Sequence, residues 1–139
     1  MLRVLAVSLA FTLAFTSVAL ATTGCDVSQT VSTSAWKCLQ SPGGQGPIEL
    51  AIPRLYRSSG AVDSKGVASV KAAHAAGVPH VDGYLFPCVS CGNAAGQVTA
   101  TLQALSAAGA SISTLWLDIE RYKWSSNTAN NQAFIKVRD

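Results

Sequence analysis

Strand-like apolar runs and helix-like runs rich in alanine alternate along this chain with a repeat of about thirty residues, and that alternation leaves few folds open. Strands are predicted over 22–29, 48–56, 78–87 and 112–120. Between them the pattern predicts a helix capped by Thr33 or Ser34 and stopped by the Pro- and Gly-rich stretch 41–47, a second over 62–76 with Gly77 as its stop, and a third over 94–108 ending at Gly109. A last helix is predicted over 127–137. Trp36 and Leu39, with Cys38 beside them, give the first helix its apolar side, and Val67, Val70 and Ala73 give the second its own. Pro53 cannot donate to a ladder, so it must occupy a bulge or an unpaired position. Strands joined through helices form right-handed βαβ units, so the class is α/β with a parallel sheet. Such sheets gather functional groups at the carboxyl ends of their strands, where Asp26, Arg54, Tyr84, Cys88, Cys91, Asp118 and Glu120 all fall.

The last strand carries an anomaly for a sheet core. Within Leu115-Trp116-Leu117-Asp118-Ile119-Glu120 two acids lie two residues apart. Strand side chains alternate, so both carboxylates point one way while Leu117 and Ile119 point the other. Burying acids there costs several kcal/mol unless hydrogen bonds, pairing or a polar cleft offset it. Two neighbouring carboxylates in a partly desolvated cleft acquire different pKa values, one protonated and one ionised, as the splitting of a glycosidic bond requires. The alternative is a solvated strand end. Asp26 is a third acid at a strand end, or a turn aspartate ahead of the first helix.

The first 21 residues read as a secretory leader: Arg3 is the positive start, 4–15 is almost wholly apolar, and Ala19-Leu20-Ala21 is a cleavage signal. Export to the extracellular space, or to the lumen of the secretory or lysosomal pathway, follows. The remainder, 22–139, is long enough for one domain with one core. Without Arg3 the charge falls from +3 to about +2, weakly suited to an anionic surface such as a bacterial wall. There is no clustered basic patch of the kind nucleic acid requires, no membrane span is expected, and a monomer is. Cys25, Cys38, Cys88 and Cys91 make an even count, which in an exported chain favours disulfides. Three connectivities are open; the preferred one joins Cys88 to Cys91 and Cys25 to Cys38. Cys88-Val89-Ser90-Cys91 also has the spacing of a thiol redox motif, so a secreted disulfide oxidoreductase is a rival reading.

Asp82 is a cleft acid that contacts substrate or a polar strand residue. Arg54 contacts substrate or the carboxylates, whereas Arg57 reads as surface. Trp116 reads as packing, and Trp124 as lining the cleft or covering a rim. His74 and His80 have no second ligand at metal spacing, so no metal or cofactor is implied.

Gly24-Cys25-Asp26-Val27-Ser28-Gln29, Ala51-Ile52-Pro53-Arg54 with Tyr56, Val81-Asp82-Gly83-Tyr84-Leu85-Phe86-Pro87-Cys88, Cys91-Gly92-Asn93-Ala94 and Trp116-Leu117-Asp118-Ile119-Glu120 together resemble glycoside hydrolase family 25, the Chalaropsis-type lysozymes, above all the secreted lysozymes of nematodes and amoebae. The resemblance runs in order along nearly all of the chain after the leader. It implies an irregular, TIM-like β/α barrel and hydrolysis of the β-1,4 bond between N-acetylmuramic acid and N-acetylglucosamine in peptidoglycan, for antibacterial defence or digestion. By the same resemblance Glu120 matches the general acid, and Asp118 the carboxylate that orients or stabilises a reacting 2-acetamido group. Asp26 matches the strand-one aspartate, and Tyr84 an aromatic lining the sugar subsite. Family domains are longer, so the expected barrel stops short of closure, and a glycan-binding protein with impaired catalysis is the other rival.

Overall fold

A computed structural model describes residues 22–41, 47–121 and 124–136. The leader reading, the middle of the first loop and the end of the last helix lie outside them. The elements run β1 (Gly24–Val27), α1 (Thr33–Leu39), β2 (Leu50–Arg57), β3 (Ala61–Val62), α2 (Ser64–Ala76), β4 (His80–Val81) and β5 (Gly83–Leu85). A 3-10 turn (Val89–Cys91), α3 (Ala94–Ala107), β6 (Leu115–Leu117) and α4 (Thr128–Ile135) follow.

The sheet has the order β1-β2-β5-β6 with every pair in that path parallel, which is the predicted α/β class. It is not closed into a barrel: β1 and β6 are its two outer strands among the described residues. β4 pairs in parallel with β2, and β3 folds back against β2 as a two-residue antiparallel hairpin that the sequence pattern did not predict. Pro53 stands opposite Val27 at the end of the β1 pairing, and one residue later the β2–β5 register shifts between Arg54 and Tyr56, the irregularity its missing N–H demands.

The predicted third strand is split at Asp82, and the fourth is only three residues long. Pairing nevertheless extends beyond β6 at both ends. Ser113 N donates to Val81 O at 2.9 Å, Gly83 N to Thr114 O at 3.0 Å, and Asp118 N to Leu85 O at 3.0 Å. Between them the side chain of Asp82 takes the Thr114 N–H at 3.0 Å, which interrupts the regular ladder.

Three helices cover one face. Trp36 of α1, Val67, Val70 and Ala73 of α2 and Leu105 of α3 meet Ala51, Leu55 and Val81 of the sheet in one buried core. α1 begins at Ser32, whose Oγ accepts from Ala35 N, one residue earlier than predicted. Leu39 is not part of the core, being 41 % exposed. α2 stops at Gly77, as predicted, in the left-handed conformation that residues with a Cβ rarely adopt.

α2 lies unusually close to β2. A Cβ built on Gly66 would stand 1.6 Å from the carbonyl oxygen of Arg54, so helix and strand approach backbone to backbone there. In an open helix Gly→Ala gains up to about 1 kcal/mol. Here the sign reverses: Gly66→Ala is expected to cost about 1–3 kcal/mol, the scale of overpacking a filled core. A urea midpoint that rises in the variant would contradict this helix–strand contact.

Cys88 and Cys91 form the predicted disulfide. Cys25 and Cys38 do not pair, contrary to the preferred connectivity. Trp36 turns into the core, and Cys38, two residues on and some 200° round the helix, therefore faces solvent, while Cys25 packs against the core.

Candidate active site

The face of the sheet away from the helices carries the acids. Register sets Asp26 beside Ile52 and Tyr84 beside Trp116, and in parallel pairs such neighbours share a face. Asp118 and Glu120 continue the alternation of Trp116. Accordingly Asp26, Ile52, Tyr84, Trp116, Leu117, Asp118 and Glu120 line one open hollow of about 300 Å³ at the carboxyl ends of the strands. The structure thus brings together the three candidate acids and Tyr84.

The hollow changes the behaviour of its groups. Partial burial raises the Asp118 pKa above its ordinary 3.8, and the charges of Glu120 and then Asp26 raise it further. Asp118 therefore holds its proton more tightly than an isolated carboxyl does. Tyr84 is also raised, first by burial and then by Asp26, Asp118 and Asp63 against an opposing pull from Arg54, so its hydroxyl stays a donor. Burial, then Asp26, raises the Cys25 thiol, which makes it a poor nucleophile.

A raised carboxyl has a definite linkage sign. The folded state binds the Asp118 proton more tightly than the unfolded state, so its ionisation costs stability; that cost is absent below the ordinary value of 3.8 and complete above the folded value. Asp118→Asn is expected to raise Tm slightly at pH 7, with the gain fading as pH falls towards 3.8. Thermal scans at both pH values check it, and an equal gain at each would refute the linkage.

Two residues predicted to touch substrate do not line the hollow. Arg54 pairs with Asp63, through Nε at 2.9 Å and Nη2 at 2.8 Å, and its Nη2 also donates to Ser28 O. That pairing occupies Asp63, which begins α2 without a side-chain cap bond. Asp82 is 6 % exposed, and both its oxygens are engaged: Oδ1 by Thr114 N and Oδ2 by Trp116 Nε1 at 2.8 Å.

Sequence reasoning missed two lining residues. Trp116, read as packing, is 52 % exposed on the hollow, and its spacing from Asp118 was the available signal. Leu117 is expected to face away, but on a strand that is the sheet's outer one among the described residues it reaches the hollow's edge. Trp124 lines a different cavity of about 620 Å³ between the cysteine turn and α4, where it meets Phe134 edge to face at 5.7 Å. The described lining of that cavity includes Ser90, Asn93 and Asn130 but no carboxylate, so the acid chemistry belongs to the smaller hollow.

Among the described residues no group of His, Cys, Asp and Glu could hold a metal ion, and no helix is long and apolar enough to cross a membrane. The cysteine turn is held by Gln97, whose Oε1 accepts from Cys88 N while its Nε2 donates to Cys88 O and Gly92 O.

A family model described as Lysozyme-like protein 1 matches residues 17–137. Lysozyme-like protein 5 of Caenorhabditis elegans is 50 % identical over 122 residues, 86 % of this chain and 55 % of that protein. Two Dictyostelium discoideum proteins, probable GH family 25 lysozymes 4 and 5, are 41 % and 38 % identical over 81 % and 93 % of this chain. They are covered over 51 % and 56 % of their own lengths, so the chain spans about half the length of the curated relatives it matches. No solved structure matches.

Proposed function

This chain belongs to the lysozyme-like family of the glycoside hydrolase family 25 type, and from that membership we propose that it is a muramidase cutting the β-1,4 bond between N-acetylmuramic acid and N-acetylglucosamine of bacterial peptidoglycan, at the anomeric carbon of the muramic acid ring. The observation that supports this most is the meeting of Asp26, Asp118 and Glu120 in one hollow beside Tyr84. Glu120 gives its proton to the leaving glycosidic oxygen, so that the alcohol departs neutral as positive charge grows on the sugar ring. Asp118, partly desolvated, accepts the N–H of the 2-acetamido group and sharpens its carbonyl oxygen for attack at the anomeric carbon. Asp26 adds negative charge where the ring becomes cationic. Water then opens the intermediate, with the Glu120 carboxylate receiving its proton.

The leader-like start and the Cys88–Cys91 disulfide support an exported protein, working in defence against bacteria or in their digestion.

The test is digestion of purified bacterial walls. New reducing ends on muramic acid are the expected product, and their β configuration marks participation of the acetamido group; the α configuration marks direct attack by water. The exposed indole of Trp116 on the hollow favours one other reading, a lysozyme-like protein that binds bacterial glycan with impaired catalysis. Wall binding with no new reducing ends selects it.

A further inference from the structure

Trp116 combines two properties that rarely occur together in an indole. It is 52 % exposed, yet its one polar atom is hydrogen-bonded at 2.8 Å to a carboxylate that is only 6 % exposed. An indole that merely fills space hides its rings, and one that merely tolerates the surface leaves its N–H to water. Here the N–H is turned into the protein and the hydrocarbon of the ring lines the hollow that holds Asp118 and Glu120. We propose that Trp116 is a sugar-stacking platform and that Asp82 is the positioning residue that fixes its plane.

Asp82 is chemically suited to that task. Its two oxygens meet two N–H donors on the same segment, Thr114 N at 3.0 Å and Trp116 Nε1 at 2.8 Å. A carboxylate accepts on both sides, whereas an amide would set its own N–H₂ against one of the donors. Asp82 falls where the strand is divided into β4 and β5, and Trp116 lies two residues beyond Thr114 opposite Tyr84. The carboxylate thus ties the indole to the backbone that leads into the acids. A ring held in advance loses less freedom when it takes up a ligand, so the tie should appear in affinity. The ligand class is a pyranose whose C–H face lies on the indole and whose glycosidic bond extends towards Glu120. This rests on the glycan reading above, but it does not require cleavage.

The experiment measures both binding and turnover. Binding of the full chain to purified peptidoglycan by sedimentation should weaken about tenfold in Trp116→Ala, the scale of one aromatic stacking contact. Asp82→Asn should raise Kd and KM about three- to tenfold, with the loss falling on KM rather than kcat. In Trp116→Phe, which keeps a ring face but has no N–H, adding Asp82→Asn should cost no further affinity, because the tie is already gone. A role for Asp82 confined to the Thr114 backbone predicts the opposite, an unchanged penalty in the Phe background, and that result would overturn the assignment. Unaltered wall binding in Trp116→Ala, or no binding by the parent chain, would overturn it too. The same sedimentation run on Glu120→Gln separates this proposal from the enzyme reading. Trp116-dependent binding without any cleavage by the parent chain leaves the platform standing and removes the muramidase, while cleavage with KM indifferent to Trp116 does the reverse.

Discussion

Glu120→Gln should lower the rate of wall hydrolysis by about 10²–10⁴, the range for removing a general acid, while wall binding and Tm stay close to those of the parent chain. The amide has nearly the shape of the carboxyl and reaches the same hollow, but it has no proton to give the leaving oxygen. The effect should fall on kcat, since the proton moves only in the transition state. A leaving group that needs no protonation provides the control: an activated aryl glycoside should recover most of the rate. A Glu120→Gln rate equal to the parent's would remove Glu120 from the mechanism.

Trp36→Ala should be the most damaging single truncation for stability. Trp36 is fully buried between α1 and α2 and donates from Nε1 to Ser69 O at 3.1 Å. Ser69 is itself fully buried and accepts from Val31 N at 2.9 Å, so the indole and the serine together fasten the start of the first helix to the second. Truncation leaves a cavity of ring size and removes the indole hydrogen bond, at a cost of about 3–5 kcal/mol. Against a typical total of about 5–15 kcal/mol this is a large share. Urea unfolding followed by far-ultraviolet circular dichroism measures it; a loss under about 1 kcal/mol would mean that the two helices do not depend on this side chain. Trp36→Phe keeps most of the volume and isolates the smaller cost of the hydrogen bond.

What was legible in the sequence was legible through period. Alternation puts Asp118 and Glu120 on one face, the thirty-residue rhythm puts Asp26 and Tyr84 at the carboxyl ends of their strands, and these four do share a hollow. Trp116 obeys the same alternation, but an indole in an apolar run reads as core. The misplaced residues depended on partners that no local pattern announces. Asp82 is held by donors at Thr114 and Trp116, 32 and 34 residues away. Arg54 is held by Asp63, nine residues further along the chain. β3 is too short to have a period at all. Cys25 and Cys38 lie close enough in sequence to invite pairing, and only the angular position of Cys38 relative to Trp36 shows that they face different surroundings.

The clasp made by Gln97 has a consequence for durability. Its amide grips peptide groups at Cys88 and Gly92, on both sides of the bridging sulfurs, from within the body of α3. Were the sulfurs parted by a reductant, the loop would stay fastened by bonds that no electron donor can break. The corner next to the sheet would then keep its outline while its chemistry changed.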